Sequence, residues 1–139
     1  MDLVKFTDVL SIWVKEKLVV KKGSNKGNVY EDLACRYLEN NGLKVLRRNF
    51  RCRFGEIDII ARERDILCFV EVKKRKGKET VSPEECFDTR QINRIRKTSL
   101  FYLLQTDQRF NFVRYDFLFI IIEGENLKFN FIKGAFDYV

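Results

Sequence analysis

Gly55-Glu56-Ile57-Asp58-Ile59-Ile60 and Phe69-Val70-Glu71-Val72-Lys73-Lys74-Arg75 are two apolar runs that carry acids and, in the second, a lysine. Read as neighbouring strands with alternating side chains, they place Asp58 on one face with Glu56 and Ile60, and Glu71 on one face with Lys73. A hairpin closed around Arg64-Asp65 that sets 58 opposite 71 also sets Glu56 opposite Lys73 and Ile60 opposite Phe69. Every candidate catalytic group then shares a face. Two directly opposed carboxylates destabilise a sheet unless positive charge lies between them, so this register calls for a divalent cation. A slip of one residue would scatter the group.

The chemistry this predicts is metal-dependent cleavage of a phosphodiester. With Asp58 and Glu71 as oxygen ligands, Mg2+ or Mn2+ would keep several waters and take a phosphate oxygen from the substrate. Lys73 would orient the attacking group and offset the charge that builds in the transition state. The Val72 carbonyl is an additional candidate ligand, and Glu31 can reach the site from a helix packed beside the sheet. The bland alternative for Glu71 and Lys73 is an exposed ion pair worth ~0.2 to 1 kcal/mol. Against it, Glu71 follows the apolar run Leu67-Cys68-Phe69-Val70, and Asp58 is embedded in an apolar run of its own.

A chain of 139 residues with 45% hydrophobic content and 13 Phe is one domain's worth and can fill a core without staples. The formal charge of +7 and pI near 9.3 favour an anionic partner, although 20 acidic residues are interleaved with 27 basic ones. Histidine is absent, which removes serine-triad, histidine-base and zinc-deaminase chemistry and leaves carboxylates and lysine for acid, base or metal work. Cys35, Cys52, Cys68 and Cys86 form no C-x-x-C pair and read as buried, reduced thiols of a cytoplasmic protein. Val9-Leu10-Ser11-Ile12-Trp13-Val14 is too short before Lys15-Glu16-Lys17 to span a membrane, so no membrane partner is expected.

Along the chain, Phe6, Val9, Leu10, Trp13 and Val20 make one stripe of an amphipathic helix over residues 4 to 20, followed by a Gly- and Lys-rich joint. This gives an N-terminal unit, 1–26, and a main domain, 27–139. A second helix runs from Asn28, as N-cap, to Asn41-Gly42, with Tyr30, Leu33, Ala34, Tyr37 and Leu38 inward and Asp32, Arg36 and Glu39 on the opposite side. Glu31 lies at the edge of the apolar arc, where a first-turn glutamate favoured by the helix dipole competes with a role in the site. Leu43 to Arg51 makes a first strand, and Arg47, Arg48, Arg51 and Arg53 either hold phosphates or solvate an edge strand. Lys74 and Arg75 extend the cationic set beyond Lys73.

Ser82-Pro83-Glu84-Glu85 reads as a capping box opening a long helix, with Ile92, Ile95, Ser99, Tyr102 and Leu103 inward. Arg90, Asn93, Arg94 and Lys97 form a separate stripe that either follows a phosphate backbone or is solvated. Arg114 to Ile122 reads as a central strand buried on both faces, Glu123-Gly124-Glu125-Asn126 as a turn, and Leu127 to Lys133 as a half-exposed closing strand. The expected order in the main domain is α-β-β-β-α-β-β, an α/β mixed sheet flanked by helices.

Several of these segments, namely Glu31-Asp32-Leu33-Ala34, Gly42, Arg48-Asn49-Phe50, Gly55-Glu56-Ile57-Asp58, Phe69-Val70-Glu71-Val72-Lys73, Pro83-Glu84-Glu85, Arg114-Tyr115-Asp116 and Ala135-Phe136, occur in an order that resembles the bacterial YraN-like uncharacterised family. That family is related to the restriction-endonuclease-like and Holliday-junction-resolvase folds. The resemblance covers residues 27 to 139 and implies a nuclease fold of the PD-(D/E)xK class. It implies metal-site roles for Asp58 and Glu71, the catalytic lysine role for Lys73 and an accessory acidic role for Glu31. Tyr30 stands where a glycine is common and Arg90 where a lysine is common; guanidinium and ammonium meet phosphate differently.

Three functions follow as expectations. The first is a Mg2+- or Mn2+-dependent nuclease acting on DNA, branched or repair intermediates included, with a homodimer left open. The second is a nucleic-acid-binding module of the same fold without turnover. The third is a scaffold that docks a partner protein through the Trp13-bearing helix.

Overall fold

Strands β2 (Lys44–Cys52), β3 (Gly55–Glu63) and β4 (Ile66–Lys76) form an antiparallel meander whose two turns are each two residues long. The computed structural model describes residues 2–5, 26–77 and 89–136. Within these, helix α1 (Lys26–Asn40) precedes the meander, helix α2 (Thr89–Gln105) follows it, and β5 (Phe112–Glu123) and β6 (Asn126–Phe136) close the chain as a hairpin. A short strand β1 (Asp2–Lys5) lies against β6, giving the order β1-β6-β5-β4-β3-β2. Among the described strands only β4 and β5 run parallel, unbroken from Ile66↔Phe112 to Lys76↔Ile122, and the connection between them contains α2. The order α-β-β-β-α-β-β is the one expected from the sequence.

The sheet is covered on both faces. On one, Leu33, Ala34 and Leu38 of α1 pack on Ile59, Ala61, Cys68, Val70, Leu118 and Ile120. On the other, Ile95 and Tyr102 of α2 pack on Ile60, Leu67, Phe69, Tyr115, Phe117 and Phe119. Thr98 and Ser99 are also buried on α2; the Ser99 hydroxyl donates to the Arg96 carbonyl at 2.7 Å and is in hydrogen-bond contact with the Tyr115 hydroxyl. Helix α1 stops as read: Gly42 adopts φ +89°, and the Leu43 and Gly42 N–H groups donate to the Leu38 and Glu39 carbonyls at 3.0 and 3.2 Å, closing a Schellman turn over buried Leu38 and Leu43.

At the far end of the sheet, fully buried Asp116 accepts from Arg114 at 2.7 and 2.9 Å and from the Gly134 N–H at 2.9 Å, at the irregularity between Tyr115 and Phe117 in the β5–β6 ladder. Glu63 joins this network through Arg114 and Lys133, and those two cations hold its carboxyl below the usual range. Burial pushes the Cys35 thiol up to about 11 and Cys68 up to about 12, as inert core thiols require.

Three readings need correction, and others fall outside the described residues. Asn28 is not the N-cap of α1, which begins at Lys26 and so carries Glu31 beyond its first turn. Asp32 does not face away from the sheet but pairs with Arg48 of β2. Cys52 is only half-buried. The helix expected over residues 4 to 20 lies outside the described residues, apart from residues 4 and 5, which belong to β1. The capping box at 82–85 and Cys86 also lie outside them.

Candidate functional site

The two acids meet where the sheet loses its regular pairing. The β3–β4 ladder runs from Glu63↔Ile66 to Ile59↔Val70, which is the register that places 58 against 71. On the other side, the β2–β3 ladder pairs Arg48 with Ile59 and Phe50 with Ile57 and passes over Asn49 and Asp58 between them. Asn49 there has φ +52°, a conformation asparagine tolerates better than most residues. Alternation of faces breaks at the same point: Ile57 and Ile60 join the α2-side core, Ile59 and Ala61 the α1-side core.

Side chains take over from the ladder at this break. The Asp58 carboxylate accepts the Val72 N–H at 2.9 Å, and the Asp58 N–H donates to the Glu71 carboxylate at 3.4 Å. Glu71 is buried. Burial, and then the neighbouring Asp58 carboxylate, raise its pKa to about 8, with Lys73 pulling the other way. Asp58 is also raised, first by burial and then by Glu31 and Glu56, while the Val72 N–H and Lys73 oppose the shift. Lys73 thus lies close enough to act on both carboxyl groups.

Glu31 comes from α1 and is held from β2. Its carboxylate accepts from the Asn49 side-chain amide at 2.9 Å and lies 3.6 Å from the Arg48 guanidinium, which also pairs with Asp32. Sequence reasoning assigned Asn49 no role. The signal was present in Arg48-Asn49-Phe50, an asparagine inside an otherwise β-prone run. Gly55 was missed in the same way: at φ +153° it brings β3 so close to α2 that a Cβ would sit 3.2 Å from Thr98 Oγ1 and 3.6 Å from Arg94 Cβ.

The cations divide into two groups. Arg47 stacks over Phe50 at 4.8 Å, Arg48 is clasped by Glu31 and Asp32, Arg51 pairs with Glu56 at 3.2 Å, and Arg53 stacks over Phe54 at 4.8 Å. Lys74 lies over the Tyr30 ring at 4.7 Å, and Arg75 donates to the Lys74 carbonyl. Arg90, Arg94 and Lys97, with Asn93, line an open cleft of about 500 Å³ on α2. Arg94 also lines a recess of about 170 Å³ with Gly55, Glu56, Glu71, Gln91 and Ile95. The basic cleft and the acidic recess therefore adjoin through one side chain.

Among the described residues no three His, Cys, Asp or Glu side chains converge as a ligand set. The oxygen donors at hand are the carboxyl groups of Asp58 and Glu71, tied together through the Val72 and Asp58 N–H groups, a pair that fits an ion keeping most of its waters. No helix among the described residues is long and apolar enough to cross a membrane.

Fold and site together define a mixed-sheet α/β domain with a carboxyl pair, Glu71 buried and Asp58 half-buried, a neighbouring lysine and a basic helix. The sequence matches the family described as "Uncharacterised protein family UPF0102" over residues 30–120, and the chain belongs to that family. A UPF0102 protein of Persephonella marina is 43% identical over 112 residues, covering 81% of this chain and 93% of the relative. UPF0102 proteins of Syntrophus aciditrophicus and Myxococcus xanthus are 41% and 38% identical, covering 80% of this chain and 87% and 88% of their own lengths.

Proposed function

We propose that this protein is a metal-dependent nuclease that hydrolyses phosphodiesters in DNA. The observation that supports it most is the pairing of buried Glu71 with Asp58 beside Lys73. Burial and the neighbouring Asp58 both raise the Glu71 pKa and cost stability, an arrangement that core packing does not require.

Asp58 and Glu71 would hold Mg2+ or Mn2+, with the Val72 carbonyl as a third donor. When bound, the ion polarises the phosphate and lowers the pKa of water. Glu71 must give up its proton for the site to load, and Asp58 is kept in place for this by the Val72 N–H. The Lys73 ammonium offsets charge developing on the phosphate oxygens, a contribution of about 10²- to 10³-fold in rate for comparable groups. Glu31, fixed by Asn49 and Arg48, keeps a further negative charge near Asp58.

The test is cleavage of linear, flapped and four-way DNA with Mg2+ or Mn2+ by wild type and Lys73→Ala purified side by side. Cutting by wild type that falls at least about 10²-fold in the variant supports the reading. Equal rates identify a contaminant, and no cutting of any substrate by wild type counts against hydrolysis. A second reading, binding without turnover, draws on the cationic cleft of α2. Under it, Asp58→Ala leaves affinity intact or raises it, and no substrate is cut.

A further inference from the structure

We infer that the substrate's phosphate backbone lies along α2, over Arg90, Asn93, Arg94 and Lys97, and enters the acidic recess at Arg94, while the arginines of β2 serve the fold. The inference deepens the nucleic-acid reading above and rests on it, but it does not depend on catalysis.

The two groups of cations differ in what already engages them. Every arginine of β2 and of the turn after it is already engaged, Arg48 with two acids, Arg51 with Glu56, Arg47 and Arg53 with aromatic rings. Among the described residues, no ion pair, hydrogen bond or ring contact engages the side chains of Arg90, Arg94 or Lys97. Like charges three and four residues apart on a helix repel by a few tenths of a kcal/mol per pair, roughly 0.2 to 0.5. A polyanion lying over the stripe relieves that repulsion.

At a rise of about 1.5 Å per residue, Arg90 to Lys97 covers about 10 Å, which matches roughly three phosphates of one strand at about 3.4 Å each along the duplex axis. Arg94 belongs both to this cleft and to the recess that contains Glu71. A strand held on the stripe therefore meets, at Arg94, the recess that Glu71 lines. Gly55, which lets α2 approach β3 closely, is what brings the cleft and the recess together.

The experiment measures binding of a fluorescein-labelled DNA duplex by anisotropy in EDTA, across a salt series. It compares wild type, Arg90→Gln/Arg94→Gln/Lys97→Gln, and Arg47→Gln/Arg53→Gln. Each released counterion adds about 0.9 to the slope of log affinity against log salt, so the α2 variant is expected to lose about 2 to 3 in slope and the β2 variant none. The α2 substitutions are on exposed positions, and an unchanged melting temperature verifies the fold. A slope kept by the α2 variant, or lost mainly by the β2 variant, overturns the assignment. Absence of any binding by wild type overturns it together with the nucleic-acid reading. Binding without cleavage leaves it standing and removes only the hydrolytic proposal.

Discussion

Asp58 and Glu71 are tied to each other through the main chain: the Asp58 N–H donates to the Glu71 carboxylate at 3.4 Å, and the Asp58 carboxylate accepts the N–H of Val72, the residue after Glu71, at 2.9 Å. The backbone thereby holds two carboxyl groups together, Glu71 buried and Asp58 half-buried. That has measurable costs.

The first is a pH dependence of stability. In the folded protein Glu71 keeps its proton up to about 8, whereas its ordinary value is 4.5, so the folded state binds the extra proton between these limits. Stability linked to this group is fully present below about 4.5 and is lost as pH rises through about 8. Raised Asp58 acts in the same direction, and lowered Glu63 acts oppositely, at the acid end. Melting temperatures in EDTA should fall across that window for wild type and much less for Glu71→Gln. A flat or rising profile in wild type would refute the assignment.

The second concerns metal. Loading requires an ionised Glu71, so added Mg2+ should raise the melting temperature little near pH 5 and progressively more towards pH 9, roughly one unit past the value of about 8 at which Glu71 gives up its proton. Asp58→Asn should abolish the increment. A Mg2+ effect of equal size at all pH values, or one that survives Asp58→Asn, places the ion elsewhere.

A third prediction separates the two jobs of Asn49. Asn49→Gly removes the hydrogen bond to Glu31 but accepts φ +52°, and should cost about 1 kcal/mol. Asn49→Val loses the bond and strains the backbone, and should cost roughly 2 to 4 kcal/mol. Urea unfolding of the pair decides it; equal losses would mean that the backbone conformation carries no strain.

Asp116 supplies a fourth. Removing it leaves Arg114 with Glu63 alone and orphans the Gly134 N–H, so Asp116→Ala should destabilise by about 3 to 5 kcal/mol. A loss under about 1 kcal/mol in the same urea titration would show that the far-end network is dispensable.

Much of this architecture can be read directly from residue pattern. Apolar runs bounded by Arg64-Asp65 and Gly124-Glu125 yield the β3–β4 and β5–β6 hairpins, and closing the first of them at Arg64-Asp65 yields the register that brings 58 to 71. The stripe Arg90, Asn93, Arg94, Lys97 follows from the helical period alone. What escapes is whatever breaks a period. Strict alternation predicts one face for Ile57 and Ile59, yet the chain turns over at Asp58 opposite Asn49. A helical wheel sends Asp32 away from the sheet, but the long Arg48 side chain reaches it from a different element. Likewise, nothing in the spacing of Arg47, Arg48, Arg51 and Arg53 tells that each is already engaged.

The parallel pairing of β4 with β5 carries a consequence for assembly in time. Asp58 and Glu71 are near neighbours in the chain and come together when one short hairpin zips. Arg90, Arg94 and Lys97 ride on a crossover whose ends, at residues 77 and 111, must be closed before β5 can dock, and closing long loops is slow. During refolding the negative half of the centre is therefore expected to form first and the positive half to arrive last. Pulse-labelling of amide hydrogens should find β3–β4 protected ahead of β4–β5, and the reverse order would contradict this sequence of events.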